Sequence, residues 1–107
     1  MMVVAACIAV STAAMAQDTR NAELATSDQQ LNATYRALSR QLRPDDQTAL
    51  RRAQKAWIAF RDADCALGFA DRRDCLMQRT DEREKQLRDS VFFNAKGDVI
   101  QLPAPRD

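Results

Sequence analysis

An all-α fold, a small antiparallel three-helix bundle with one disulfide, is what this sequence predicts. Three observations carry that reading. Apolar residues recur at helical spacing in three separate runs, only two glycines interrupt 107 residues, and two cysteines flank the junction of the second and third runs. A chain this size makes one domain with a thin core, which a covalent staple would help. Its 16 Lys+Arg and 15 Asp+Glu leave a net charge of +1, against the strong basic excess of a dedicated nucleic-acid binder. The charged residues are 13 Arg against 3 Lys and 12 Asp against 3 Glu, in a chain rich in alanine. That bias reads as genomic base composition, so clustered arginine alone is weak evidence for phosphate recognition.

The first sixteen residues carry no charge and end in Ala14-Met15-Ala16, an A-x-A pattern after a short apolar run. This predicts a signal peptide over 1–16 with cleavage before Gln17, and the run is short for a transmembrane span. No Lys or Arg precedes the run, which points to a start a few residues upstream. Val4-Ala5-Ala6-Cys7 resembles the small-residue motif before a lipidated cysteine, so a lipid anchor through Cys7 is the alternative. The expected location is periplasmic or secreted, or else an envelope lipoprotein.

Residues 17–93 form the expected helical domain and 94–107 an extended or disordered tail. In the first helix Leu24, Leu31, Tyr35, Leu38 and Leu42 make one stripe, with Arg36 and Arg40 off it. Thr26, Ser27 or Asp28 could cap it, placing the start between residues 21 and 28, and Pro44 ends it. Pro44-Asp45-Asp46 supplies a turn and an N-cap for a second helix with Leu50, Ala53, Trp57 and Phe60 on its apolar face. The short connection predicts that these two helices pack as an antiparallel hairpin. Gly68 breaks the pattern. A third helix is expected from about Arg72 to Phe92, with Leu76, Thr80, Arg83, Leu87 and Val91 in its stripe and Arg83 at the border. The predicted core is Leu31, Tyr35, Leu50, Trp57, Phe60, Leu76 and Leu87.

Catalysis and metal binding find little support. The chain has no histidine, which removes Ser-His and Cys-His pairs. Asp62 and Asp64, two apart on a helix, point about 200° away from each other. Asp71 and Asp74 stand at a helix start, where capping accounts for them. Two cysteines without histidine make half a zinc site, and a calcium loop would lack its alternating acids and closing Glu. A catalytic redox pair would sit closer together. Neither an enzyme nor a cofactor is expected.

Loss of Cys7 with the leader leaves two cysteines in an oxidising compartment. Cys65, near the end of the second helix, and Cys75, near the start of the third, are expected to pair. Closing that eleven-residue loop stabilises by about 2–3 kcal/mol on the chain-entropy model. Trp57 reads as the main core anchor, with Arg61 four residues on able to lie over its ring. Asn32 and Gln54 border the stripes as candidate interhelical hydrogen-bonding groups.

Leu31-Asn32-x-x-Tyr35, then Ala53-Gln54-Lys55-Ala56-Trp57-Ile58-x-Phe60-Arg61-Asp62-x-x-Cys65, then Cys75-x-x-x-Arg79-Thr80-x-x-Arg83-x-x-x-Leu87 resemble the lysozyme inhibitor LprI family. The resemblance covers about residues 28–88. It implies a small exported helical domain with a disulfide near the helical connection. It also implies lysozyme as protein partner, bound and inhibited by contact; the alternative is an envelope structural or stress-related interaction module. The chain lacks the N-terminal cysteines of the commoner pattern, leaving its first helix without a second disulfide.

Charge gives the inhibitor idea physical content. Residues 31–60 hold six basic and two acidic side chains, whereas residues 61–75 hold three basic and four acidic ones. The stapled turn thus reads as an acidic end that would steer a basic lysozyme. The expected partner-binding residues are Asp62, Asp64, Leu67, Phe69, Asp71, Arg72, Arg73 and Asp74. Leu67 and Phe69 either supply an apolar contact or close the end of the core.

Overall fold

A computed structural model describes residues 3–68, 70–93 and 96–102. In chain order the elements are α1 (Val3–Ser39), α2 (Pro44–Asp64), α3 (Arg72–Asp89), β1 (Phe92–Phe93) and β2 (Val99–Ile100). Three helices and a Cys65–Cys75 disulfide make the all-α bundle that the periodicity predicts. A two-stranded antiparallel ribbon is added after α3.

The first departure is the length of α1, which runs unbroken for 37 residues from Val3 instead of starting between residues 21 and 28. The three candidate caps lie inside it. Thr26 Oγ1 donates to the Ala22 carbonyl at 3.0 Å, Ser27 is buried, and Asp28 faces Arg61 of α2 at 3.7 Å. Each short polar side chain thus finds a place that leaves the helical ladder intact, and nothing local stops the helix. Among the described residues no helix is long and apolar enough to cross a membrane.

At the next corner, Gln41 and Leu42 donate to the carbonyls of Leu38 and Ser39, tightening the last turn of α1. Arg43, extended before proline, holds the N-cap position of α2 with no side-chain cap, and Pro44 stands at its first turn. Asp45 and Asp46 therefore sit in the first turn, favoured by the helix dipole, and do not cap it. Gln47 Nε2 closes the corner by donating to the Ser39 carbonyl at 2.6 Å.

The main helix pairing joins α1 to α3, and α2 lies against them at longer range. This corrects the expectation that α1 and α2 form the tight hairpin. Buried side chains on α1 and α3 include the short Ser27 and Thr80, compatible with close backbones, whereas α2 reaches inward with Trp57 and Arg61. Leu31 and Leu38 of α1 and Leu42 of the following connection meet Leu50, Leu87 and Ile100, with Tyr35 and Trp57 half-buried at the edge. A second cluster gathers Cys65, Cys75 and Leu76 with Leu24 beside it. Burying each such leucine contributes about 1.5–3 kcal/mol.

Phe60 is not in the core: it is 61 % exposed. The inward row of α2 is Leu50, Gln54, Trp57 and Arg61, rotated by roughly 50° from the expected Leu50-Ala53-Trp57-Phe60 stripe. Gln54 and Arg61 displace the more apolar Ala53 and Phe60 because both have hydrogen-bond partners on α3. Among the other predicted core residues, Leu31, Leu50, Leu76 and Leu87 are buried.

α3 ends at Asp89, three residues short of expectation. Ser90 turns extended, its hydroxyl donates to the Gln86 carbonyl, and the Val91-Phe92-Phe93 run has the β-branched and aromatic character that favours a strand. Phe92 pairs with Ile100 and Phe93 with Val99, while Val91 is exposed. The tail is extended as predicted over its described part, yet it is packed. Gly97, at φ 83°, allows the reversal that returns Ile100 to the core, where it is 7 % exposed. Replacing Ile100→Ala should therefore lower unfolding stability by roughly 2 kcal/mol in urea titration. A loss indistinguishable from zero would mean the ribbon does not pack on the bundle.

Candidate functional site

The site is the corner between α2 and α3. It forms because α2 runs out at Asp64, Gly68 takes φ 59°, and Asp71 restarts a helix. Cys65 and Cys75 close it with Cα atoms 5.6 Å apart, and both side chains are buried. Asp71 is the N-cap of α3 and accepts from the Arg73 backbone N–H at 2.8 Å, as capping predicts.

The predicted aspartates are brought to one corner, but none stands as a free acid. Asp62 pairs with Arg61 at 3.0 Å and Asp64 with Arg79 at 2.8 Å. Asp71 receives both Arg73 and Arg20 at 3.0 Å, and Arg20 also reaches Asp74 at 3.8 Å. Arg73 extends the network by donating to Asn21 Oδ1 of α1 at 3.2 Å. The hydrogen bonds from the Arg73 side chain and then its backbone hold the Asp71 carboxyl at about 2, below its ordinary 3.8. Asp64 in turn raises the Arg79 guanidinium, chiefly through their hydrogen bond.

This pairing overturns the expectation of an acidic end. The local balance of −1 counts only residues 61–75, and folding adds Arg20 from α1 and Arg79 from further along α3. Asp28 then joins Arg61, and the corner closes near neutrality. Arg79 was findable, because it lies four residues beyond Cys75 on the same helical face. Arg20 and Asn21 carried no local signal, since they arrive from a helix expected to begin later.

Among the described residues of the corner Leu67 is a large apolar side chain that points outward, 70 % exposed, and Arg72 is also exposed. Leu67 therefore does not close the core. Phe69 lies outside the described residues.

Behind the corner, two guanidinium groups lie over the Trp57 ring, Arg61 at 5.3 Å and Arg83 at 5.9 Å from its centroid. Arg61 also donates to Thr80, at 3.3 Å, and Arg83 to Gln54, at 3.0 Å. Burial pushes the Arg83 guanidinium down, consistent with its border position. Asn32, by contrast, is exposed. Among the described residues no group of three or more His, Cys, Asp and Glu is placed to hold a metal ion.

The depressed Asp71 carboxyl has a pH consequence. Its stabilising effect is complete above the unfolded value of 3.8 and is lost as pH falls through about 2. Asp71→Asn should lower the melting temperature by a few degrees at neutral pH, and the gap to the parent should shrink from about pH 4 downward. A gap unchanged between neutral pH and about pH 2 would assign the effect to something other than this carboxylate.

The model of the lysozyme inhibitor LprI family matches residues 5–87, from the first helix almost to the end of the third. Neither the curated proteins nor the solved structures gave a match. With its helices, stapled corner and arginine-clamped tryptophan inside or bounding that matched span, the chain belongs to the lysozyme inhibitor LprI family.

Proposed function

We propose that this chain binds and inhibits lysozyme outside the cytoplasm, by protein contact and without catalysis, using the stapled corner around Leu67. One observation supports the choice of surface: a large apolar side chain, 70 % exposed, on a corner tied by a disulfide and a set of ion pairs. A contact loop ordered before binding loses less conformational entropy on docking. Export rests on the uncharged leader 1–16, with the lipid anchor through Cys7 as its alternative form.

Electrostatics supports the same surface by a different route from the one the local charge count implies. The corner is close to neutral, so it does not pull a basic lysozyme in. Residues 36–55 hold six basic and two acidic side chains and would repel one. A cationic enzyme therefore meets less resistance at the corner than along residues 36–55. Arg72, exposed there and without an ion-pair partner among the described residues, is available to a carboxylate in a glycosidase cleft.

Cell-wall lysis by lysozyme, followed with and without the oxidised protein, tests this reading. Slowed lysis is expected, and Leu67→Ala should weaken inhibition by roughly 10-fold while helicity is unchanged. No slowing at large molar excess over several lysozyme types would sink the inhibitor reading in favour of an envelope interaction module. Full potency in the Leu67→Ala protein would move the contact elsewhere.

A further inference from the structure

Among the described residues five arginines are half-buried: Arg61, Arg73, Arg79, Arg83 and Arg88. Four of them have a carboxylate partner, Arg61 with Asp62, Arg73 with Asp71, Arg79 with Asp64 and Arg88 with Glu84. Arg83 has none among the described residues. An exposed arginine without a partner, such as Arg72, keeps its hydration. A guanidinium drawn out of water needs an opposite charge, or its burial is unfavourable. Desolvation accordingly pushes Arg83 down, whereas carboxylates raise Arg73, Arg79 and Arg88.

Arg83 is also held in place. Its Nε donates to Gln54 at 3.0 Å and its Nη1 to Gln86 at 3.4 Å, and the guanidinium lies 5.9 Å from the Trp57 centroid. Both amides are neutral, and Nη2 makes no hydrogen bond among the described residues. Arg83 lines a cavity of about 280 Å³ in the seam between α2 and α3. Long side chains rather than close backbones join these two helices, which leaves the space. From α2 the cavity takes Trp57, Phe60 and Asp64, one helical row, and from α3 Arg79, Glu82 and Gln86. Arg79 holds both acids, Asp64 at 2.8 Å and Glu82 at 3.3 Å, so neither answers Arg83. Phe60 stands at this cavity 61 % exposed, a large aromatic that the core leaves outside.

We infer that this cavity binds an acidic saccharide, with the sugar carboxylate on Arg83 and the C–H face of the ring on Phe60. The chemistry of the lining selects that class. A sugar ring presents apolar C–H groups on its face and hydroxyls around its edge. The lining answers with an exposed aromatic ring and with the planar polar groups of Asp64, Glu82 and Gln86. A fatty acid would set its chain against those polar groups, and a dianionic phosphate would meet two carboxylates with one unpaired guanidinium. The volume suits a single sugar residue, with its neighbours in a glycan left in solvent. Leu67 does not line the cavity, so the inference stands whether or not the stapled corner binds lysozyme.

Saturation-transfer NMR titrations of the full oxidised chain test this with two matched pairs of sugars. N-acetylmuramic acid differs from N-acetylglucosamine by its lactyl carboxylate, and glucuronic acid differs from glucose by a carboxylate in place of a hydroxymethyl group. At neutral pH the acidic member of at least one pair should bind on the order of 10-fold tighter than its neutral counterpart. Tighter binding of N-acetylmuramic acid assigns the ligand to a cell-wall glycan, and tighter binding of glucuronic acid to an acidic polysaccharide. Arg83→Gln should abolish the acidic preference, and Arg83→Lys, which keeps the charge, should retain part of it. Phe60→Ala, at an exposed position, should weaken both members of the pair severalfold with unchanged helicity. Equal binding of acidic and neutral sugars by the parent, no binding of any of the four, or a preference that survives in Arg83→Gln would overturn the inference.

Discussion

The disulfide between Cys65 and Cys75 is the constraint on which the placement of α2 depends. α1 and α3 make the closest helix pairing, and α2 reaches them mainly through long side chains. Without a fixed corner, Trp57, Arg61 and Gln54 would have to find their partners across a mobile eleven-residue connection. The bridge, stabilising by about 2–3 kcal/mol, is a large share of the stability of a domain this small. It also nucleates its own buried cluster with Leu24 and Leu76, and so ties the corner to α1 as well as to α3.

Once the corner is fixed, arginine does two kinds of work. Arg61 and Arg83 both lie over Trp57 and donate to Thr80 and Gln54, so a half-buried indole is held by cations at a core border. Arg20, Arg73 and Arg79 neutralise the aspartates of the turn. Arg36, Arg40, Arg51, Arg52 and Lys55 are exposed and make no ion pair among the described residues, so the stretch 36–55 keeps a positive balance.

Much of this was legible in sequence because it is local. The three helices, the pairing of Cys65 with Cys75, the Asp71 cap, Arg61 over Trp57 and Arg83 at the core border follow from spacing within one or two turns. What the sequence hid depends on partners distant along the chain. Phe60 was expected inside because it continues an apolar stripe, and it is outside because Gln54 accepts from Arg83 and Arg61 donates to Thr80, both on α3. Ile100 was assigned to a loose tail because two residues of strand carry almost no pattern until a ribbon folds back on the core. The turn read as acidic because Arg20 and Arg79 lie outside the window in which its charges were counted.

Hydrogen–deuterium exchange of the backbone amides, with and without lysozyme, tests the proposed contact surface most directly. The account predicts slower exchange on adding lysozyme at the amides from Cys65 to Gly68 and from Asp71 to Asp74, with residues 36–55 unchanged. Protection confined to residues 36–55, with the stapled corner exchanging as in the free protein, would contradict it.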